Sequence, residues 1–384
     1  MNNFSFQNPT RIHFGKGQIA AIANEIPADA KVLITYGGGS IKKNGTLDQV
    51  LEALKSHTVL QFGGIEPNPS YETLMEAVEL ARKENIDFLL AVGGGSVIDG
   101  TKFIAAAIHF EGNPWSILSE GAALGKVVPA GNVLTLPATG SESNCGAVVT
   151  RRETKDKLAF LNPAVYPKFA VLDPETTYSL PQGQSANGVV DAFVHTMEQY
   201  LTVRDNAHMQ DRYAEGQLLT LISEGPKVLK TPEDYGVRST IMWTANQALN
   251  GLIGQGVPHD WSTHMIGHEL TAMHGIDHAQ TLAIVLPSLM QKMRDQKAPK
   301  ILQYAERVWD IQEGSDEERI SLAIEKTRNF FESMGVKTSL SDYGVGEADI
   351  PALISQLERH GMTALGEGKN ITLDVSKAIL TGAL

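Results

Sequence analysis

An α/β domain followed by an all-helical domain is the fold this sequence predicts, and three observations predict it. At 384 residues the chain exceeds what one hydrophobic core usually supports, so two domains of about 150 residues or more are expected. Over residues 31–180, short β-rich apolar runs alternate with amphipathic stretches, the pattern of parallel strands joined by crossover helices. Beyond Leu180 and Pro181 the strand-like runs largely stop and long stretches of helical period replace them. The expected division is therefore 1–180 for the α/β domain and 181–384 for the helical one.

The strands come first. Residues 31–36 (KVLITY), 86–92 (IDFLLAV) and 133–137 (VLTLP) lack polar alternation, as strands covered on both faces do. Two of them run directly into glycine clusters. In Gly93-Gly94-Gly95-Ser96 the glycines precede a helix expected over 97–109, so backbone N–H groups at a helix N-terminus would face outward at the sheet edge as an anion site. Glycine would bring the backbone close to a pyrophosphate and make positive φ available. The segment does not satisfy G-x-G-x-x-G, and a tight strand-to-helix turn without a ligand is the alternative.

The second cluster, Gly37-Gly38-Gly39-Ser40, is followed by Ile41, Lys42 and Lys43, and no acid occurs until Asp48. NAD sites usually place a carboxylate near the end of such a strand to bind the ribose 2'-hydroxyl, where it would repel a 2'-phosphate. Glycines, a hydroxyl and two lysines favour NADP(H), and a surface turn with two solvated lysines is the plainer reading. After the third strand, Thr139 and Glu142 have the spacing of a capping box. That segment, from Thr135 through Leu136, Thr139 and Ser141, reads equally as a helix cap and as one wall of a nucleotide path.

Long helical stretches are expected over 185–201, 210–229 and 301–334. In the first, Asp191 and His195 are four apart and project from one helix face. His264 and His268 repeat that spacing, and His278 follows. Three imidazoles with one carboxylate suit zinc or ferrous iron, although an isolated Asp/His pair at this spacing is more often a helix salt bridge. The chain has one cysteine, Cys145, which excludes an internal disulfide and thiolate clusters and fits a reducing compartment. The run from His268 to His274 is not H-E-x-x-H, which disfavours a zincin protease.

Composition removes other classes. Lys and Arg number 32 against 44 Asp and Glu, a net charge of −12, with no basic stripe to track nucleic-acid phosphates. Residues 1–10 lack the basic and apolar regions of a signal peptide, and no run reaches the roughly 18 apolar residues of a membrane span, so a soluble, cytoplasmic protein is expected.

Taken together, Gly93-Gly94-Gly95-Ser96 with Asp99 and Lys102, the segment from Thr135 to Glu142, the stretch from Gly188 to His195, and His264 through His278 resemble the iron-containing, metal-dependent alcohol dehydrogenase family over the full length. The resemblance is closest to its NADPH-dependent aldehyde reductase and butanol dehydrogenase branch. It implies a dehydroquinate-synthase-like fold, with an α/β dinucleotide-binding domain and an all-helical metal-binding domain. It also implies one divalent ion, with zinc, iron, nickel and cobalt as candidates, on Asp191, His195, His264 and His278, and places His268 near the nicotinamide as the catalytic candidate. By the same resemblance Gly94, Gly95 and Ser96 match the pyrophosphate loop, Asp99 a cofactor contact, Thr135, Leu136, Thr139 and Ser141 the nicotinamide side, and Lys157 a ribose contact. Many relatives carry Asp where this chain has Gly38, a departure that agrees with NADP(H). The implied activity is reduction of small aldehydes to primary alcohols by a homodimer. A dehydroquinate-synthase-like lyase is the competing reading. It would need basic residues around the ligands, where Leu252, Ile253, Trp261, Met265 and Met273 stand instead.

Overall fold

The computed structural model describes residues 1–203 and 206–384. Two compact units divide the chain. The α/β unit holds Gln7–Pro181 together with Pro232–Asn246, and the helical unit holds Met1–Phe6, Gln182–Thr231 and Gln247–Leu384. Neither is one continuous stretch, because the segment from Pro232 returns to the α/β unit and the N-terminus joins the helical one.

Among the described residues the α/β unit is built on a six-stranded parallel sheet. In chain order its strands and one added hairpin are β1 (Arg11–Phe14), β2 (Lys31–Tyr36), β3 (Thr58–Phe62), β4 (Phe88–Gly94), β5 (Ala130–Leu136), β6 (Gly146–Arg151), β7 (Asp156–Leu161) and β8 (Phe169–Leu172). The sheet runs β1-β8-β5-β4-β2-β3, while β6 and β7 pair antiparallel beside it. Period-two alternation sorts the apolar residues onto two faces. Leu33, Leu89, Ala91, Leu134 and Ala170 join one core, whereas Val32, Ile34, Leu90, Val92, Val133 and Val171 join another. Both faces are apolar, and a strand buried on both sides therefore reads as an uninterrupted hydrophobic run.

The helix after β4, Gly95–Ala107, is buried around most of its circumference, which explains its weak amphipathic pattern. In the helical unit, Gln182–Tyr200 is buried almost continuously from Ser185 onward, and Ser262–His274 and His278–Lys292 pack around Ile266, Leu270, Ile284 and Val285.

Two local expectations are corrected. The helical stretch expected over 301–334 is two helices, Arg294–Trp309 and Asp316–Ser333. Asp310 and Gly314 break it in left-handed backbone, and Ser315 with Glu318 forms a capping box for the second helix. Ile311 stays buried in the break, so the apolar period carries through it. Conversely, Thr139 and Glu142 form no capping box. Only a short 3-10 turn, Ser141–Ser143, follows, and Glu142 is buried with its carboxylate accepting from Asn246 at 2.8 Å. No helix among the described residues is long and apolar enough to cross a membrane.

Candidate functional site

The order of the sheet places the first two glycine loops side by side. From β2 the chain goes outward to β3, then returns to lay β4 on the other side of β2, and continues to β5. The strand order reverses between β2 and β4. A crevice opens at such a switch point beyond the carboxyl ends of the strands, and there the structure sets Gly37-Gly38-Gly39-Ser40 and Gly93-Gly94-Gly95-Ser96.

The glycines serve different ends. Gly39 has φ 95°, the left-handed conformation that turns β2 into the helix Ser40–Lys43. Residues 93–95 do not use positive φ, contrary to the expectation from sequence, and their requirement is crowding. A Cβ on Gly95 would stand 2.4 Å from Thr139 Oγ1. Thr139 thus packs against the start of the helix Gly95–Ala107, and Leu136 lies against Gly94. Ser96 Oγ accepts from the Asn68 backbone at 3.3 Å, and the Asn68 side chain in turn accepts from Lys157 Nζ at 2.8 Å. Asn68, in left-handed backbone with φ 55°, therefore joins the loop after β4 to the lysine on β7.

Behind the loops lies a buried charge cluster. Lys102 Nζ donates to Ser141 Oγ, Asn144 Oδ1 and the Gly146 carbonyl at 2.8–2.9 Å. Asp99 accepts from Ser141 Oγ at 2.5 Å and from the Val148 backbone at 2.9 Å. Burial pushes the Lys102 ammonium down to about 8, opposed by Asp99 and Glu142. Burial likewise raises both carboxylates, opposed at Asp99 first by Lys102 and at Glu142 first by the bond from Asn246. The cluster locks Thr139-to-Ser143 onto the helix that begins at Gly95. Asp99 and Ser141 face each other in it, joined by that hydrogen bond.

The metal-ligand candidates sit in the helical unit. Asp191, His195 and His264 are buried, and one donor atom from each lies within 4.8 Å of the other two. Donors sharing a tetrahedral ion at about 2.1 Å would stand roughly 3.4 Å apart. Asp191 Oδ1 is 3.6 Å from His195 Nδ1 and 3.8 Å from His278 Nε2. The His195 and His264 rings stack with centroids 4.6 Å apart, and His264 and His278 stand at 5.1 Å. Gly275, with φ 69°, ends the helix Ser262–His274 and lets His278 open the next helix against this group. One carboxylate and three imidazoles, with Asp191, His195 and His264 buried and His278 part-exposed beside them, fit a divalent ion such as zinc or iron(II). His268 lies one helical turn beyond His264, its ring 5.3 Å from His278 and 6.2 Å from His264. Trp261 meets the His195 and His264 rings in T-shaped contacts, with centroids 6.3 and 5.4 Å away.

Sequence reasoning missed the support for these ligands. Glu198 contacts His264 Nδ1, and Asp260 forms an ion pair with Lys297 at 2.9 Å, which also pairs with Glu367. Burial and the nearby Asp260 carboxylate push Glu198 well above the usual carboxylate range, against the pull of the His264 and Thr263 backbone N–H groups. The only local mark in the sequence is that Glu198 falls at i+7 from Asp191 and i+3 from His195, on the same helix face.

Both parts of the chain match models of one family. Residues 9–174 match the family described as iron-containing alcohol dehydrogenase, and residues 185–372 match the C-terminal region of the Fe-containing alcohol dehydrogenase family. The NADPH-dependent aldehyde reductase YqhD of Escherichia coli is 65% identical, with 100% of both chains covered. A probable NADH-dependent butanol dehydrogenase of Bacillus subtilis is 40% identical, again over 100% of both. Among solved structures, Escherichia coli YqhD superposes with a TM-score of 0.99 at 64% identity, covering 100% of this chain and 99% of that one. Butanol dehydrogenase A of Thermotoga maritima, at 36% identity, gives 0.95 over 100% and 99%.

Proposed function

This chain belongs to the iron-containing alcohol dehydrogenase family, and we propose that it is an NADP-dependent aldehyde reductase that converts small aldehydes to primary alcohols. The observation that carries the reading is the convergence of the buried Asp191, His195 and His264, with His278 beside them. When bound, NADPH supplies the hydride and the divalent ion supplies Lewis acidity at the carbonyl oxygen.

The chain's own residues do the rest. Asp191, His195, His264 and His278 hold the ion. Gly94, Gly95 and Ser96 offer backbone N–H groups to the pyrophosphate at the start of a helix whose dipole favours anions. Gly37 to Ser40 form the ribose pocket, with Lys42 and Lys43 exposed beside it and no carboxylate before Asp48 to repel a 2'-phosphate. Thr135, Leu136, Thr139 and Ser141 line the nicotinamide side, and Lys157, held by Asn68, reaches the ribose. His268 is the side chain placed to hold the proton that the alcohol product acquires. Trp261 and the neighbouring apolar residues suit an uncharged carbon chain better than a phosphorylated acid. A cytosolic homodimer completes the proposal, and sedimentation of the purified holoenzyme tests its second half.

The deciding assay follows NADPH and NADH oxidation over a series of aldehydes, on metal-stripped protein reloaded with zinc, iron, cobalt or nickel. Metal-dependent, NADPH-preferring turnover is expected. Inactivity under every pairing overturns the reductase reading, and a preference for NADH overturns the ribose-pocket reading.

A further inference from the structure

We propose that Glu198 is a positioning residue of the metal centre, fixing the His264 imidazole and tying the two ligand-bearing helices together; the inference rests on the metal reading above. Asp191, His195 and Glu198 are spaced i, i+4, i+7 in the helix Gln182–Tyr200, which puts all three on one face. The first two point into the ligand group. The third is aimed at the N-terminus of the helix Ser262–His274, whose N-cap residue, Trp261, makes no side-chain cap.

Glu198 supplies that cap from the other helix. Its Oε1 accepts from the backbone N–H of Thr263 at 2.7 Å and of His264 at 3.3 Å, two donors that helix geometry leaves without an intrahelical acceptor. Its Oε2 faces His264 Nδ1. One carboxylate therefore fixes both the backbone and the ring of the same ligand. With Nδ1–H donating to Glu198, the ring's lone pair is on Nε2, the nitrogen left for a metal. The Asp260 backbone N–H also donates to the Glu198 carbonyl at 2.9 Å, so the segment leading into His264 is tied to Glu198 at both its main chain and its side chain.

A residue that only joins two helices would matter for stability alone, and Glu198→Gln separates the two roles. The amide oxygen keeps the two backbone donors, while its NH2 group confronts Nδ1. On zinc- or cobalt-loaded holoenzyme, E198Q is expected to release metal to a chelator about 10–100 times faster than wild type, the usual loss when an outer partner of a ligating histidine is removed. The visible cobalt bands should shift, and the apo protein's Tm should stay near that of wild type. Release at the wild-type rate with unshifted bands overturns the role assigned to Glu198. Nitrogen-15 NMR of the wild-type zinc protein tests it without any substitution: His264 should carry its proton on Nδ1 and its metal on Nε2, and metal on Nδ1 overturns the proposal. A wild-type chain that takes up no metal would instead overturn the metal reading itself.

Discussion

The loops after β2 and β4 present glycine and main chain, with the Lys102 and Asp99 side chains bracing the segment behind the second, whereas the group around Asp191 and His264 is made of side chains drawn from three helices. On the proposed reading, recognition in the first region would be spread over many N–H groups and hydroxyls, none carrying the whole interaction. In the second, each donor would take one coordination position of a single ion. The difference teaches that substitutions should act gradually on the nucleotide side and abruptly on the metal side.

The largest test of that contrast is His264→Ala. Its loss should lower kcat/KM by about a thousandfold or more, since Lewis-acid stabilisation is worth several kcal/mol. The NADPH Kd, from fluorescence titration, should stay within about twofold. An equal loss of nucleotide affinity would dissolve the distinction between the two regions. Next is Lys102→Met, which leaves Asp99 and the buried Glu142 without their shared cation. Denaturant unfolding should show a loss of about 3–5 kcal/mol. The pH dependence has a definite sign. A folded-state value of about 8, below the ordinary 10.5, means the folded protein holds this proton less tightly than the unfolded chain. The cost of burying the charge is therefore full below pH 8 and is relieved as pH rises toward 10.5. Wild type's advantage over K102M should be greater at pH 9.5 than at pH 7.5; a smaller advantage would mean that Lys102 is not the group titrating.

Gly38→Asp sharpens the comparison from the nucleotide side. A Cβ at Gly38 meets nothing within 4 Å, and the residue does not use positive φ, so the substitution changes charge more than shape. The KM for NADPH should rise about 10–100-fold through repulsion of the 2'-phosphate while NADH use improves. Unchanged coenzyme preference would remove the ribose pocket from these residues. The smallest effect belongs to Cys145→Ser. It should alter turnover by less than about twofold and leave metal content untouched, because the ligands proposed are imidazole and carboxylate; loss of metal would bring the thiol into the site.

The same contrast governs what could be read from the chain. Strands such as Lys31–Tyr36 and their glycine loops were legible because burial on two faces and a tight turn both leave local marks. The motif S/T-x-x-E shows where local marks fail. At Ser315 and Glu318 it is a capping box, the glutamate being exposed and able to reach back to the backbone. At Thr139 and Glu142 the same spacing is no cap, because Glu142 is buried against Asn246, a partner more than a hundred residues away. The metal ligands posed the harder problem. Spacing alone paired Asp191 with His195 and His264 with His268, but bringing those pairs together, and choosing His278 over His268, required the resemblance to a family. Glu198 escaped notice because its partner lies on another helix and nothing in the local pattern distinguishes a trans cap from a helix-surface acid.

The most direct test of the whole account is anomalous scattering, recorded at the metal absorption edge from crystals of the loaded holoenzyme. One peak is expected about 2.0–2.2 Å from Asp191, His195, His264 and His278 together, with His268 outside bonding distance. A peak elsewhere, or one that excludes any of those four residues, would contradict it.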